Sequence, residues 1–259
     1  MATPIGTSSP GDTRNRLLLA IPADERLQVL SISERVQLIP HQILHEYMVP
    51  MDHVYFVESG LVSVAAKVGR DKFVEVWLTG SQGMVGVPVV LGAGIEPLHR
   101  RTVQVGGQAL RIGTHDFLQA LESLPAFRKA LHAFLNVVLS QTSQSGACNS
   151  THSIKHRLAR WLLVARSGLS ADDIPLTHGV LAQLLGVRRA SVTESLEDFE
   201  SQGLINTRRG QIMICNSGNL REVCCDCFRM IDREYERQLA SLNEADNKID
   251  IPVWGPAEA

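Results

Sequence analysis

Nowhere in the 259 residues is there an apolar run of the roughly 18–20 residues that a membrane-spanning helix needs. The opening MATPIGTSSPGDTRNR lacks the apolar centre of a secretory signal and reads as a disordered arm over 1–13. Five cysteines without paired spacing argue against a disulfide scaffold, so a reducing cytoplasm is the expected compartment. Strong net charge is also missing: 25 Lys/Arg face 27 Asp/Glu, which excludes a uniformly basic nucleic-acid binder. There is no phosphate-binding glycine loop, no nucleophile–base pair and no metal-hydrolase motif, so an enzyme is not expected. Gly92-Ala93-Gly94 follows a strand pattern but precedes Pro97 without a βαβ unit, and reads as a loop.

What is present is a change of texture along the chain. Residues 15–30 are helical in period, interrupted at Pro22. Short β-rich runs then follow at 54–57, 61–68, 73–78, 84–90, 101–105 and 108–112, separated by Gly and charged turns. Many short strands at this spacing suggest a cupin-like jelly roll or β-roll, so an α+β fold is expected with a sensor domain over 14–124. Beyond Thr114 the helical period returns. Phe127, Leu131, Phe134 and Val138 form a heptad-like stripe on a segment assigned to 125–152. Two readings fit it: a dimerisation seam, or a helix packed on its own barrel. The Ser/Thr/Asn/Gly-rich stretch 140–153 reads as a hinge.

The sharpest signal lies in 153–216, where 8 Lys/Arg oppose 6 Asp/Glu over 151–215. Thr177 is a suitable N-cap, Leu181, Leu184 and Leu185 an apolar face, Ala182 a close crossing and Gly186 a tight turn. A second helix starts there, with Val192, Leu196 and Phe199 inward. Its first turns offer Arg188, Arg189, Ser191 and Thr193, where a recognition helix presents side chains to a major groove. Alternation on both sides of Arg208-Arg209-Gly210 reads as a hairpin wing, with the two arginines toward phosphates. A winged helix-turn-helix binding double-stranded DNA is the expectation, and the same unit serving protein contacts is the alternative. Trp161 reads as core, and His115-Asp116 as a cap.

Together these residues resemble the Crp/Fnr family of bacterial regulators from about Asn15 to Asn216. Asn15-Arg16-Leu17-Leu18 with Ile21-Pro22 resembles its N-terminal helix, and Val54 to Gly60 its strand–turn signature. Gly83-Met84-Val85-Gly86 resembles the approach to its effector loop, and Leu181-Ala182 to Val192 its helix-turn-helix. The resemblance implies a homodimer on a two-fold symmetric operator with half-sites about 34 Å apart. It also implies an effector pocket near Gly86, Val87, Arg100, Arg101 and Thr102, and RNA polymerase as a partner of the loop 167–175. In cyclic-AMP-binding members a Glu follows the loop glycine; here Val87 does, so cyclic AMP is not expected and no cofactor is named. Arg189 matches the family's guanine-reading Arg, whereas Ala190 and Glu194 depart from it, implying a different operator. The N-terminal region has no cysteine, so the iron–sulfur cluster of oxygen-sensing relatives is not expected.

The tail 217–259 is read as a C-terminal helix capped by Asn219 with Glu222. Cys224 and Cys227 fall on an apolar face, so Cys224, Cys225 and Cys227 are read as structural, with a thiol redox sensor next. A metal site completed by Cys215 matches no standard spacing, and none is expected. His41, His45 and His53 are read as half-buried histidines rather than haem or metal ligands.

Overall fold

The computed structural model describes residues 3–4, 12–70, 72–92 and 96–243. Most of the arm expected at 1–13 lies outside the described residues. Where it is described, Thr3–Pro4 (β1) is a strand rather than a disordered segment, paired with Val36 and Gln37. The chain continues through helices α1 (Arg16–Leu19) and α2 (Ala23–Ser31) and strands β2 (Glu34–Leu38), β3 (Ile43–His45), β4 (His53–Val57), β5 (Leu61–Lys67), β6 (Phe73–Thr79) and β7 (Met84–Val85). Then come α3 (Val87–Val90), β8 (His99–Val105), β9 (Gly107–Gly113), α4 (Thr114–Ser123), α5 (Pro125–Thr151) and α6 (Ile154–Leu169). The chain ends in β10 (Asp173–Ile174), α7 (His178–Leu185), α8 (Arg189–Ser201), β11 (Ile205–Arg208), β12 (Gln211–Ile214), α9 (Ser217–Val223) and α10 (Cys227–Asn243).

Two antiparallel sheets face each other in the N-terminal half, ordered β1-β2-β9-β4-β7 and β3-β8-β5-β6. Val36, Leu38, Tyr55, Val57, Val62, Val103 and Ala109 fill the space between them. Strands β4 and β5 are buried at nearly every position, because each is covered on both faces. Sequence periodicity therefore could not show which residues face the roll. Residues 84–90, expected as one strand, divide at Gly86, whose φ of 113° ends β7 and starts the short helix α3. Strands β2 and β3 complete the roll.

Asn15 fastens the N-terminal helix to this roll. Its side-chain amide donates to the carbonyls of Val57 and Gly83, both at 2.8 Å, while its oxygen caps Leu18. Glu25 of α2 accepts from the backbone N–H groups of Ala126 and Phe127, capping α5 where Leu124 has no side chain able to do so.

Helix α5 corrects two expectations. The stretch 140–153 is helical through Thr151 rather than a loose hinge. Thr142 and Thr151 turn their hydroxyls back on the carbonyls of Val138 and Ala147, and Gln141, Ser145 and Cys148 are buried. The chain breaks only at His152–Ser153, where Ser153 caps α6. Of the two readings of the stripe, the structure fits the helix packed on its own barrel and not the dimer seam: Phe127, Leu131 and Phe134 belong to the chain's own core, with Val138 packed against it. Phe127 meets Phe56 and Phe117, and Phe134 meets Trp77. The outward face of α5 instead carries Leu139, 65% exposed, beside Ser143 and Gly146.

The C-terminal helix is also divided. Asn216, not Asn219, caps α9 and accepts from the Asn219 N–H. The chain turns at Cys224–Asp226, and α10 then runs back along α5. Leu220 of α9 lies in the winged-helix core, so that unit extends past the expected boundary at 216.

Candidate nucleic-acid interface

Helices α7 and α8 are joined by Gly186, whose φ of 67° lets Val187 N–H return to the Ala182 carbonyl and close the turn. Thr177 caps α7 by accepting from Val180 N–H at 3.3 Å. Leu181, Leu184, Leu185, Val192, Leu196 and Phe199 form the expected inner face. This packing leaves the start of α8 outward. Arg188 and Arg189 are exposed and form no ion pair among the described residues, while Ser191 and Thr193 are half-exposed. The Thr193 hydroxyl is held by His178 Nδ1 at 3.0 Å, which ties the two helices together and limits its freedom to meet a base.

The hairpin of β11 and β12 turns at Arg209-Gly210, with Gly210 at φ 74°. Arg208 and Arg209 are exposed at its tip. Glu200 of α8 grips the hairpin: its carboxylate accepts from the Thr207 N–H at 2.7 Å and the Thr207 hydroxyl at 2.9 Å. Those bonds hold its carboxyl below the usual range. The sequence gives no sign of this role for Glu200, because a glutamate in the last turn of a helix ordinarily faces solvent. Strand β10, inside the loop expected at 167–175, pairs with β12 and widens the wing into a three-stranded sheet.

The winged unit docks on its own β-roll. Trp161 of α6 is core, as expected, but its indole N–H also donates to Glu75 of β6 at 2.7 Å. Burial, opposed by that bond and by the charge of Arg160, raises the Glu75 carboxyl to about 8. Below it, Ser81 N–H and hydroxyl both reach the Gly168 carbonyl, at 3.0 and 3.1 Å. A Cβ on Gly80 would lie 2.3 Å from that same oxygen, so the contact requires glycine.

The five residues expected in an effector pocket do not converge. Arg100 and Thr102 share one face of β8 with Ser63, Ala65 and Glu75 of the neighbouring strands. They line a cavity of about 280 Å³ between the roll and α7. Arg101 points to the opposite face and is buried. Its guanidinium donates to the His99 carbonyl at 2.7 Å, and burial lowers its pKa to about 10. Arg100 is engaged by Glu46 at 2.8 Å and stacks over Phe73. Gly86 lies against Val54, and Val87 packs against the apolar core. His45, one of the three histidines, is a core residue whose Nε2 meets the His53 carbonyl at 2.8 Å; burial lowers it to about 4.

Burial also pushes the thiols up, Cys148 to about 12 and Cys224 and Cys225 to about 11. A reactive redox thiol needs the opposite shift. Cys215 is exposed, reaches the Met213 carbonyl and takes no part in this group.

A β-roll joined by a long helix to a winged helix-turn-helix is the architecture of the Crp/Fnr-type regulators. Comparison with known proteins agrees. Residues 156–223 match the family model of the Crp-like helix-turn-helix domain. Among solved structures, FixK2 from Bradyrhizobium japonicum superposes with a TM-score of 0.64 at 15% identity, over 75% of this chain and 98% of that one. The c-di-GMP responsive global regulator CLP of Xanthomonas campestris gives 0.59 at 20% identity, over 74% and 99%. A CooA mutant from Carboxydothermus hydrogenoformans gives 0.56 at 18%, over 75% and 89%. No curated protein matches the chain in sequence. The chain thus carries a Crp-like helix-turn-helix domain within a Crp/Fnr-type fold. No helix among the described residues is long and apolar enough to cross a membrane.

Proposed function

We propose that the protein is a homodimeric, sequence-specific DNA-binding transcription regulator that works without cyclic AMP. The observation that carries this reading is the grouping of exposed arginines that form no ion pair among the described residues. Arg188 and Arg189 stand at the start of α8, and Arg208 and Arg209 at the tip of the wing beside it. In this docking Arg189 reads a guanine edge with two hydrogen bonds, and Arg188, Ser191 and the wing arginines bind phosphates. Thr177 and Gly179, exposed at the start of α7, bring backbone N–H groups to a neighbouring phosphate.

Dimerisation is assigned to the outward face of α5, where exposed Leu139 lies next to exposed Met230 of α10 across a shallow groove. Two such faces related by a two-fold axis would set the recognition helices on successive major grooves of a symmetric operator. Independence from cyclic AMP is supported by Val87, which offers no acceptor to a ribose hydroxyl, and by Arg101, whose guanidinium is folded back on the chain's own backbone.

The test is selection of duplexes from a random pool by the purified chain, with no nucleotide added, followed by a salt titration. Enrichment of a two-fold symmetric sequence whose binding weakens steeply with salt is expected. A winged helix serving protein contacts would enrich nothing and show no salt-dependent duplex binding.

A further inference from the structure

The connection between α9 and α10 meets the end of α5 in a group of four side chains that the DNA-binding reading does not use. Cys148 and His152 stand one turn apart at the end of α5, and the His152 N–H returns to the Cys148 carbonyl. Cys225 and Cys227 straddle the start of α10. The four ligand atoms lie within 4.8 Å of one another. Cys148 Sγ is 3.6 Å from Cys225 Sγ, and Cys227 Sγ is 3.6 Å from His152 Nδ1.

We propose that Cys148, His152, Cys225 and Cys227 bind one zinc-class ion in tetrahedral coordination. A tetrahedron with zinc–sulfur bonds of about 2.3 Å has ligand–ligand edges of about 3.7 Å, which matches both close pairs. A set of three sulfurs and one imidazole selects a soft or borderline ion over magnesium or calcium. The surroundings suit the charge. On binding, each of the three thiols releases its proton to solvent, so the site carries one net negative charge. Arg160, buried with its Nε unpartnered, and Arg157 stand beside it, and among the described residues neither forms an ion pair. The positive charge of Arg160 acts on both Cys148 and Cys224. The Gln144 amide donates to Cys227 Sγ at 3.1 Å, the kind of outer-sphere bond that steadies a bound thiolate.

The position gives the ion a task. It would clasp the last turn of α5, just before the break at Ser153, to the segment that leaves the winged helix. Bound metal then fixes the DNA-binding unit on both sides of the break.

The full-length chain, reduced and freed of metal, is titrated with Co2+. One ion per chain is expected, with a thiolate-to-cobalt charge-transfer band and the intense visible absorption of tetrahedral cobalt, both lost on addition of Zn2+. Cys148→Ser and Cys227→Ser should each weaken binding by at least about 100-fold. Cys215→Ser, remote from the cluster, should bind as wild type. Should a cysteine variant not fold, His152→Ala serves instead, keeping the charge-transfer band while the visible bands shift. A wild-type chain that gives nothing but the weak spectrum of octahedral cobalt overturns the proposal. So does unchanged affinity in Cys148→Ser. A Cys148–Cys225 disulfide forming under mild oxidation in a chain that takes up no Co2+ would likewise assign the cluster to thiol chemistry and not to metal.

Discussion

Arg189 and Arg208 are both exposed arginines in the winged unit, yet they occupy different places and should fail differently. Arg189→Ala is expected to cost about 1–3 kcal/mol on the selected operator and to relax base preference at one position, read by competition among operator variants. Arg208→Ala should weaken all duplexes alike and flatten the salt slope by about one unit. Equal losses on specific and random duplexes for both variants would place Arg189 on the backbone and not on a base. Where α5 packs on the roll, Phe134 is 4% exposed, against Trp77 and beneath Gly83. Phe134→Ala should cost about 3–5 kcal/mol in urea denaturation while leaving the dimer dissociation constant of the folded chain unchanged. A weakened dimer with intact stability would return Phe134 to the seam that the heptad-like stripe suggests.

At the scale of elements, the wing is only as well placed as its anchor. Glu200→Ala removes both acceptors for Thr207, so the hairpin should lose its fixed angle to α8. The expected outcome is a flatter salt slope with unchanged base preference, together with faster amide exchange in β11. Helix α5 should respond to a charge on its outward face: Leu139→Asp is expected to weaken the dimer by about 1–2 kcal/mol in sedimentation, with the roll still folded. These two elements also mark what the sequence could tell. The helix-turn-helix was legible residue by residue because its constraints are local: a cap at Thr177, a turn at Gly186, apolar residues three and four apart. The roll was legible as a class, but β2 and β3 were not picked out, and 84–90 changes structure at Gly86. The stripe on α5 was seen, but not which surface it meets. Period alone cannot tell a partner from the chain's own barrel when both offer apolar contacts. Cys148 and His152 gave no signal because their companions arrive only after the whole winged unit has been threaded.

At the scale of the molecule, the two halves are joined by a buried acid. Glu75 is neutral in the fold, its pKa raised from 4.5 to about 8, and accepts the Trp161 indole N–H. The unfolded chain ionises this group first as pH rises. Its contribution is therefore complete below about pH 4.5 and is lost as pH climbs toward about 8, by about 1.4 kcal/mol for each unit inside that window. Glu75→Gln, which keeps the acceptor, should flatten the dependence of unfolding stability on pH across this range. An unchanged slope would mean that the acid is ionised in the fold.

The touching backbones of Gly80 and Gly168 bear on how this protein can diverge. A side chain at Gly80 drives a strand turn into the Gly168 backbone, so Gly80 cannot change while the docking lasts, whereas a Cβ at Gly168 meets only the ends of the Leu61 and Gln82 side chains, which can turn aside. Among homologous sequences, lineages that hold the winged unit against the roll should keep Gly80. Lineages that have released it should be free to lose it, leaving at one position a record of which descendants still work with their halves closed.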